Sequence, residues 1–156
     1  MVNGKIVENR KSKFLYELVE SFEAGIELKG FEIKSLREGN VNINASFVYF
    51  KADEMFVHNL VIEPYSPAGF LHLQNNVEKN RVRKLLLHKS EIKKISNGIS
   101  KKGLVGFVIK LYFNKRGKVK LLIAIGKPKN KADKRNAIKE RDWKKSQSAI
   151  LKDKNR

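Results

Sequence analysis

A chain of 156 residues with 34 Lys and Arg against 16 Asp and Glu carries a formal charge of +18, and its 41% apolar content suffices for one packed core rather than several domains. It has no cysteine, which excludes disulfide scaffolds, thiol catalysis, iron–sulfur clusters and cysteine-containing zinc sites. No apolar run approaches the roughly 18 residues of a membrane span, and Met1 to Arg10 lack the apolar centre of a secretory signal, so a soluble cytoplasmic protein is expected.

In chain order, Tyr16 to Glu20 and Ala24 to Leu28 alternate as strands do, and Gly25 suggests a bend or bulge in the second. Gly30 to Glu38 places Ile33 and Leu36 on one helical face, with Gly39-Asn40 as a stop. A hairpin is predicted from Ser46–Phe50 through Lys51–Glu54 to Met55–Ile62, ended by Pro64. Val82, Leu85, Leu86, Ile92 and Ile95 lie near a helical period, which predicts a helix from Arg81 to Ile95 that Asn97-Gly98 terminates. Gly98 to Gly103 has the glycine spacing of a phosphate loop, but Leu104 and Val105 stand where Lys and Ser or Thr are needed, so it reads as a plain loop.

A second hairpin is the clearest of all. Phe107, Ile109, Leu111 and Phe113 alternate, Asn114-Lys115-Arg116-Gly117 is turn chemistry, and Val119, Leu121, Ile123 and Ile125 alternate on the return. Five or six strands in hairpins with about two interposed helices predict a mainly β fold, a small closed OB-like barrel, because a sheet this size must hide its edges. The last 30 residues hold seven apolar side chains, too few for a core. The expected organisation is therefore a barrel over 1–126 and a basic tail over 127–156, disordered or helical only on its target.

Residues 1–63 carry 8 basic and 10 acidic groups, residues 64–126 carry 14 and 2, and residues 127–156 carry 12 and 4. Lysine kept for solubility would be spread evenly, so this concentration predicts a polyanionic partner. The basic segments lack the apolar face of a membrane-surface helix, which favours nucleic acid over lipid. Arg81, Arg83, Lys84, His88, Lys89, Lys93 and Lys94 form a basic stripe suited to phosphates, and Tyr16, Phe22 and Trp143 are candidates for stacking on bases. Strand alternation predicts that most of Phe14, Phe22, Phe31, Phe47, Phe50, Phe56, Phe107 and Phe113 are buried.

Catalytic chemistry finds no support. His58, His72 and His88 are 14 and 16 residues apart, without the spacing of metal ligands. Glu17, Glu20, Glu23 and Glu27 recur at three or four residues, but on a strand Glu20 and Glu23 point to opposite faces and make no acid–base pair. No cofactor, metal or catalytic residue is expected.

A series of ordered blocks then becomes recognisable: Asn9-Arg10-Lys11; Phe22-Glu23-Ala24-Gly25-Ile26-Glu27-Leu28-Lys29-Gly30; Glu32-Ile33-Lys34-Ser35-Leu36-Arg37-Glu38-Gly39; Arg83-Lys84-Leu85-Leu86-Leu87-His88-Lys89; Leu111-Tyr112-Phe113; Val119-Lys120; and Asp133-Lys134-Arg135. In these the chain resembles the SsrA-binding protein family, also called small protein B, nearly end to end. The resemblance implies an adaptor that is not an enzyme. Such an adaptor binds the transfer-RNA-like part of transfer-messenger RNA and delivers it to bacterial ribosomes stalled on messages without a stop codon, for trans-translation. It implies an RNA-facing set of Asn9, Tyr16, Glu23, Lys34, Arg37, Arg83, Lys84 and Leu85. It also implies a ribosome-facing set of Lys127, Lys129, Asp133, Lys134, Arg135, Trp143, Ile150 and Leu151, directed at the small-subunit decoding region and messenger channel. Elongation factor Tu and alanyl-tRNA synthetase would be met indirectly, through the charged RNA, by a monomer. Pro128-Lys129-Asn130 and Ala132 depart from the family pattern, in which Gly-Lys-Lys is frequent and some relatives carry His. The competing reading is a nonspecific OB-type single-strand binder or ribosome-associated protein.

Overall fold

The computed structural model describes residues 6–64 and 79–129, with four further positions in the tail, 135, 139, 141 and 143. The described strands are β1 (Val7–Glu8), β2 (Tyr16–Ile26), β3 (Val41–Asn42), β4 (Phe47–Lys51), β5 (Glu54–His58), β6 (Val61–Ile62), β7 (Arg83–Leu86), β8 (Val105–Phe113) and β9 (Val119–Pro128). The described helices are the single turn α1 (Ser12–Leu15), α2 (Gly30–Arg37) and α3 (Lys89–Lys102).

Six strands pair antiparallel in the order β8, β4, β5, β7, β2, β9, and β9 pairs again with β8. The sheet thus closes into a ring with no open edge among these strands, the solution expected of a mainly β, OB-like fold of this size. β1 adds to the outside of β8, and β3 with β6 forms a separate two-stranded sheet. Inward rows such as Val48, Met55, Val57, Leu85, Val108, Leu111, Leu121 and Ile123 are each at most 4% exposed and fill the ring.

The β8–β9 hairpin forms over the predicted residues, but a register shift between Val108 and Lys110 puts Phe107 on the opposite face from Leu111, so the predicted single row of Phe107, Ile109, Leu111 and Phe113 is corrected; α2 spans Gly30–Arg37 with Gly39 (φ 80°) turning the chain behind it. Four further local expectations are corrected. Tyr16 to Ile26 is one continuous strand, and its irregularity falls between Leu18 and Glu20 rather than at Gly25. Gly25 serves close approach instead, since a Cβ there would lie 3.2 Å from the Cβ of Leu86 on β7. The β4–β5 loop is the two residues Ala52-Asp53, both at positive φ as a type I′ turn requires. β5 stops at His58, where Asn59 at φ 58° redirects the chain into β6.

The predicted helix over Arg81 to Ile95 is half strand. Arg83 and Leu85 point inward and are buried, whereas Val82 and Leu86 are exposed, so the period is two as far as β7 extends. The helix begins only at Lys89 and runs through Asn97-Gly98. Gly98 does not end it, because that glycine is packed on the ring: a Cβ there would meet Cδ1 of Ile125 at 2.9 Å. The stop is Gly103, in the left-handed region at φ 64°, so the segment read as a loop from Gly98 is the last helical turn.

The phenylalanines are also less buried than predicted. Phe22 and Phe107 are buried, at 8% and 3%, while Phe14, Phe31, Phe56 and Phe113 are half-buried and Phe47 and Phe50 are exposed. In a ring every second side chain points outward, and Phe47 and Phe56 occupy outward rows.

Candidate nucleic-acid interface

Four residues of the expected RNA-facing set lie in the interior. Arg83 is 0% exposed: its Nε donates to Glu32 Oε2 at 2.7 Å, and its Nη atoms donate to the carbonyls of Leu60, Arg81 and Lys79. Glu32 also accepts from the Lys29 N–H at 2.9 Å, which caps α2, and from Nε of Arg81 at 3.1 Å. Burial pushes the Glu32 carboxyl up, but the hydrogen bonds from Arg81 and the Lys29 backbone, with the charge of Arg83, outweigh it and hold the group below its ordinary range.

Asn9 is equally committed, since its side chain donates to the Val108 carbonyl at 2.9 Å and accepts from the Ser12 N–H. Leu85 and Phe22 pack in the core. The side chains of Asn9, Phe22, Arg83 and Leu85 are thus buried, and they place the surface residues around them.

Part of the outward set converges. β2 presents Glu23, β7 presents Lys84, and His88 and Lys89 start α3; with Lys120 of β9 they line an open groove of about 680 Å³. The Tyr112 hydroxyl, from β8, donates to the Glu23 carboxylate. Partial burial, followed by the hydrogen bond and charge of Glu23, pushes the Tyr112 phenol up to about 12, so it stays a neutral donor. Lys110 lies over the Tyr112 ring, 5.3 Å from its centroid. Lys84 pairs with Glu54 at 2.8 Å, which raises its pKa.

Chemically the groove offers four carboxylates, Glu23, Asp53, Glu54 and Glu91, beside Lys84, Lys89 and Lys120. A carboxylate there is repelled by phosphate but can accept from base N–H groups or a 2′-hydroxyl, while the lysines meet the backbone. Lys34 and Arg37 are exposed on the last turn of α2. Arg81, largely buried against Glu32, is less available than the stripe reading supposed. Tyr16 is half-buried, its ring stacked 4.5 Å from that of Phe107. It stands seven residues from Glu23 along β2, about 23 Å at strand rise.

The tail leaves at that same distant end of β2, where Tyr16 pairs with Pro128 and Glu17 with Lys127. Lys129 is tied to α1, its Nζ donating to the Lys13 carbonyl at 2.8 Å and its N–H to that of Leu15 at 2.9 Å. Arg135 and Trp143 are helical and exposed. Asp133, Lys134, Ile150 and Leu151, with Ala132, lie outside the described residues. The sequence reading missed Tyr112, Lys110 and Glu32. The alternation of β8 already places Lys110 and Tyr112 on one face, but nothing local shows that Glu23 lies across from them.

Among the described residues no group of three His, Cys, Asp or Glu side chains could hold a metal ion, and no helix is long and apolar enough to cross a membrane. The sequence profile of the family described as SmpB protein matches residues 6–153. An SsrA-binding protein of Agrobacterium fabrum is 42% identical over 152 residues, covering 97% of this chain and 92% of its own. One from Rhizobium etli is 40% identical over 153 residues, covering 98% and 94%. A solved structure described as "tmRNA-SmpB: a journey to the center of the bacterial ribosome" is similar with a TM-score of 0.66 and 40% identity, over 85% of this chain and 94% of that one. Matching in profile, sequence and fold over almost its whole length, the chain belongs to the SmpB protein family.

Proposed function

We propose that this chain is an RNA-binding adaptor that recognises the transfer-RNA-like part of transfer-messenger RNA and carries it to stalled ribosomes for trans-translation. The observation that carries the reading is the match to SmpB over residues 6–153, together with a similar solved structure whose description joins SmpB, transfer-messenger RNA and the bacterial ribosome. The groove is suited to the task, since carboxylates such as Glu23 accept from base or 2′-hydroxyl donors while Lys84, Lys89 and Lys120 meet phosphates.

In this reading Glu23, Lys84, His88 and Lys89, with Lys34 and Arg37 on α2, face the RNA. Lys127, Lys129, Asp133, Lys134, Arg135, Trp143, Ile150 and Leu151 face the small-subunit decoding region and messenger channel. The tail leaves β2 about 23 Å from Glu23, far enough for the two partners to be held at once. The adaptor is a cytoplasmic monomer without catalytic chemistry of its own, and meets elongation factor Tu and alanyl-tRNA synthetase through the charged RNA. The test is to purify the protein from its own cells and sequence the bound RNA. One dominant transfer-RNA-like species is expected, and a broad mixture of unstructured RNA would favour a nonspecific binder.

A further inference from the structure

The outer face of the ring carries a second feature that the groove does not use. On β4 and β5 the pair Val48 and Val57 points into the core, so the neighbouring register pairs Phe47–His58 and Tyr49–Phe56 point out. All four outward positions are aromatic rings. Phe47 and His58 stack at 5.1 Å with planes 15° apart, and Tyr49 and Phe56 stack at 5.8 Å with planes 26° apart. The two stacks touch, with the Phe47 and Tyr49 centroids 6.1 Å apart. On β8, Phe107 is the register neighbour of Phe47, and its ring stacks on Tyr16.

Six rings therefore lie on this side of the sheet, on β2, β8, β4 and β5, with Phe107 the buried member. A cation marks one end: Phe56 is in register with Lys84, which also lines the groove. Cross-strand aromatic pairs stabilise a hairpin by themselves. That role does not require Phe47 to keep 42% of its surface in water.

We propose that this belt is a stacking site for unpaired nucleobases, with Phe47 as its open rung, so that a single-stranded stretch of RNA passes from the groove at Lys84 across the outer face. Every base has a π-face, so stacking binds without regard to sequence, and Lys84 at the groove end takes a phosphate. That lysine and the direct continuation of the belt from the groove select RNA over an apolar protein segment as the occupant. The inference rests on the reading of the chain as an RNA-binding protein.

The test uses the full chain with two probes of about eight nucleotides, an oligoadenylate and an oligomer of abasic sites with the same backbone. The wild type is expected to prefer the oligoadenylate. Phe47→Leu should lose about tenfold in oligoadenylate affinity and nothing toward the abasic oligomer, in line with the loss of one stacked base. In a Trp143→Phe background, Phe47→Trp should keep the oligoadenylate affinity of the Trp143→Phe parent and show indole fluorescence quenched by oligoadenylate but not by the abasic oligomer. Equal binding of the two probes by the wild type, full oligoadenylate affinity in Phe47→Leu, or unquenched fluorescence in Phe47→Trp would each overturn the proposal. Preference for transfer-RNA-like RNA is scored separately. A chain that keeps that preference while failing these tests loses only the belt, and a chain that stacks oligoadenylate without that preference loses only the proposed function.

Discussion

Arg83 donates to Glu32 across 2.7 Å in the interior, with the two side chains 0% and 2% exposed. The pair joins β7 to the first turn of α2, and through the Leu60 and Lys79 carbonyls it also joins the chain segments flanking Pro64 and Asn80. An ion pair this buried gains little over a well-packed apolar pair, but removing one partner leaves the other charge in a site with no water.

Glu32→Gln should therefore destabilise the fold by about 3–5 kcal/mol, the usual cost of breaking a buried pair. The effect is pH-dependent with a definite sign. Because folding holds the Glu32 carboxyl below its ordinary value of 4.5, its contribution is present above that value and is lost as pH falls through the lower folded value. In urea unfolding, the gap between wild type and Glu32→Gln should be constant near neutrality and should narrow as pH drops below 4.5. A gap independent of pH would mean that the charge of Glu32 is not what stabilises this corner.

Tyr112 supplies a second titration. Of the four tyrosines, one phenol should titrate near 12, and Glu23→Gln should bring it back toward the ordinary 10.0, as followed by ultraviolet absorbance of the phenolate. Since the folded value is raised, the stability contributed by this contact is full below 10.0 and lost as pH rises toward 12. Tyr112→Phe should therefore lose less stability over that interval than wild type does.

Glu23 itself is exposed, so Glu23→Ala should cost no more stability than the one hydrogen bond from Tyr112, about 0.5–1.5 kcal/mol. Binding to transfer-RNA-like RNA should weaken by about 1–3 kcal/mol, the worth of one good base-reading contact. Unaltered affinity, measured by titration calorimetry, would return Glu23 to the role of a partner for Tyr112 alone.

Salt tests the electrostatic part. With a net charge of +12 over residues 64–126, affinity should fall by roughly 10³-fold between about 50 and 200 mM salt if about six phosphates are contacted. At every salt concentration folded RNA should outcompete an unstructured strand of equal length. Equal affinity for the two would remove the shape-specific reading.

Where side chains alternate without interruption, as in Val119 to Ile125, the sequence was legible as to which side chains face the core, but not as to the register shift at Ile109 on the facing strand. It was not legible at β7, because a buried arginine breaks the apolar alternation and only its long-range partner Glu32 explains why it can be inside. Gly98 misled for the same reason: it looks like a helix stop until Ile125 is seen against it. The lysines of the groove were visible as a local excess of positive charge, but Asp53, Glu54 and Glu91 beside them were not. Glu23 was named through the family resemblance, but its geometry depends on Tyr112, 89 residues away in sequence. Local pattern gives direction and burial, whereas contacts between distant strands come only with closure of the ring.

The central claim is that the ring holds the RNA while the tail engages the ribosome, and the chain truncated after Asn130 tests it most directly. Its ability to support tagging of nascent chains on stalled ribosomes is measured beside its affinity for transfer-messenger RNA. The account predicts affinity close to wild type with tagging abolished, and Ile150→Asp combined with Leu151→Asp in the full chain should do most of the same damage. Tagging at the normal rate by the truncated chain would contradict it.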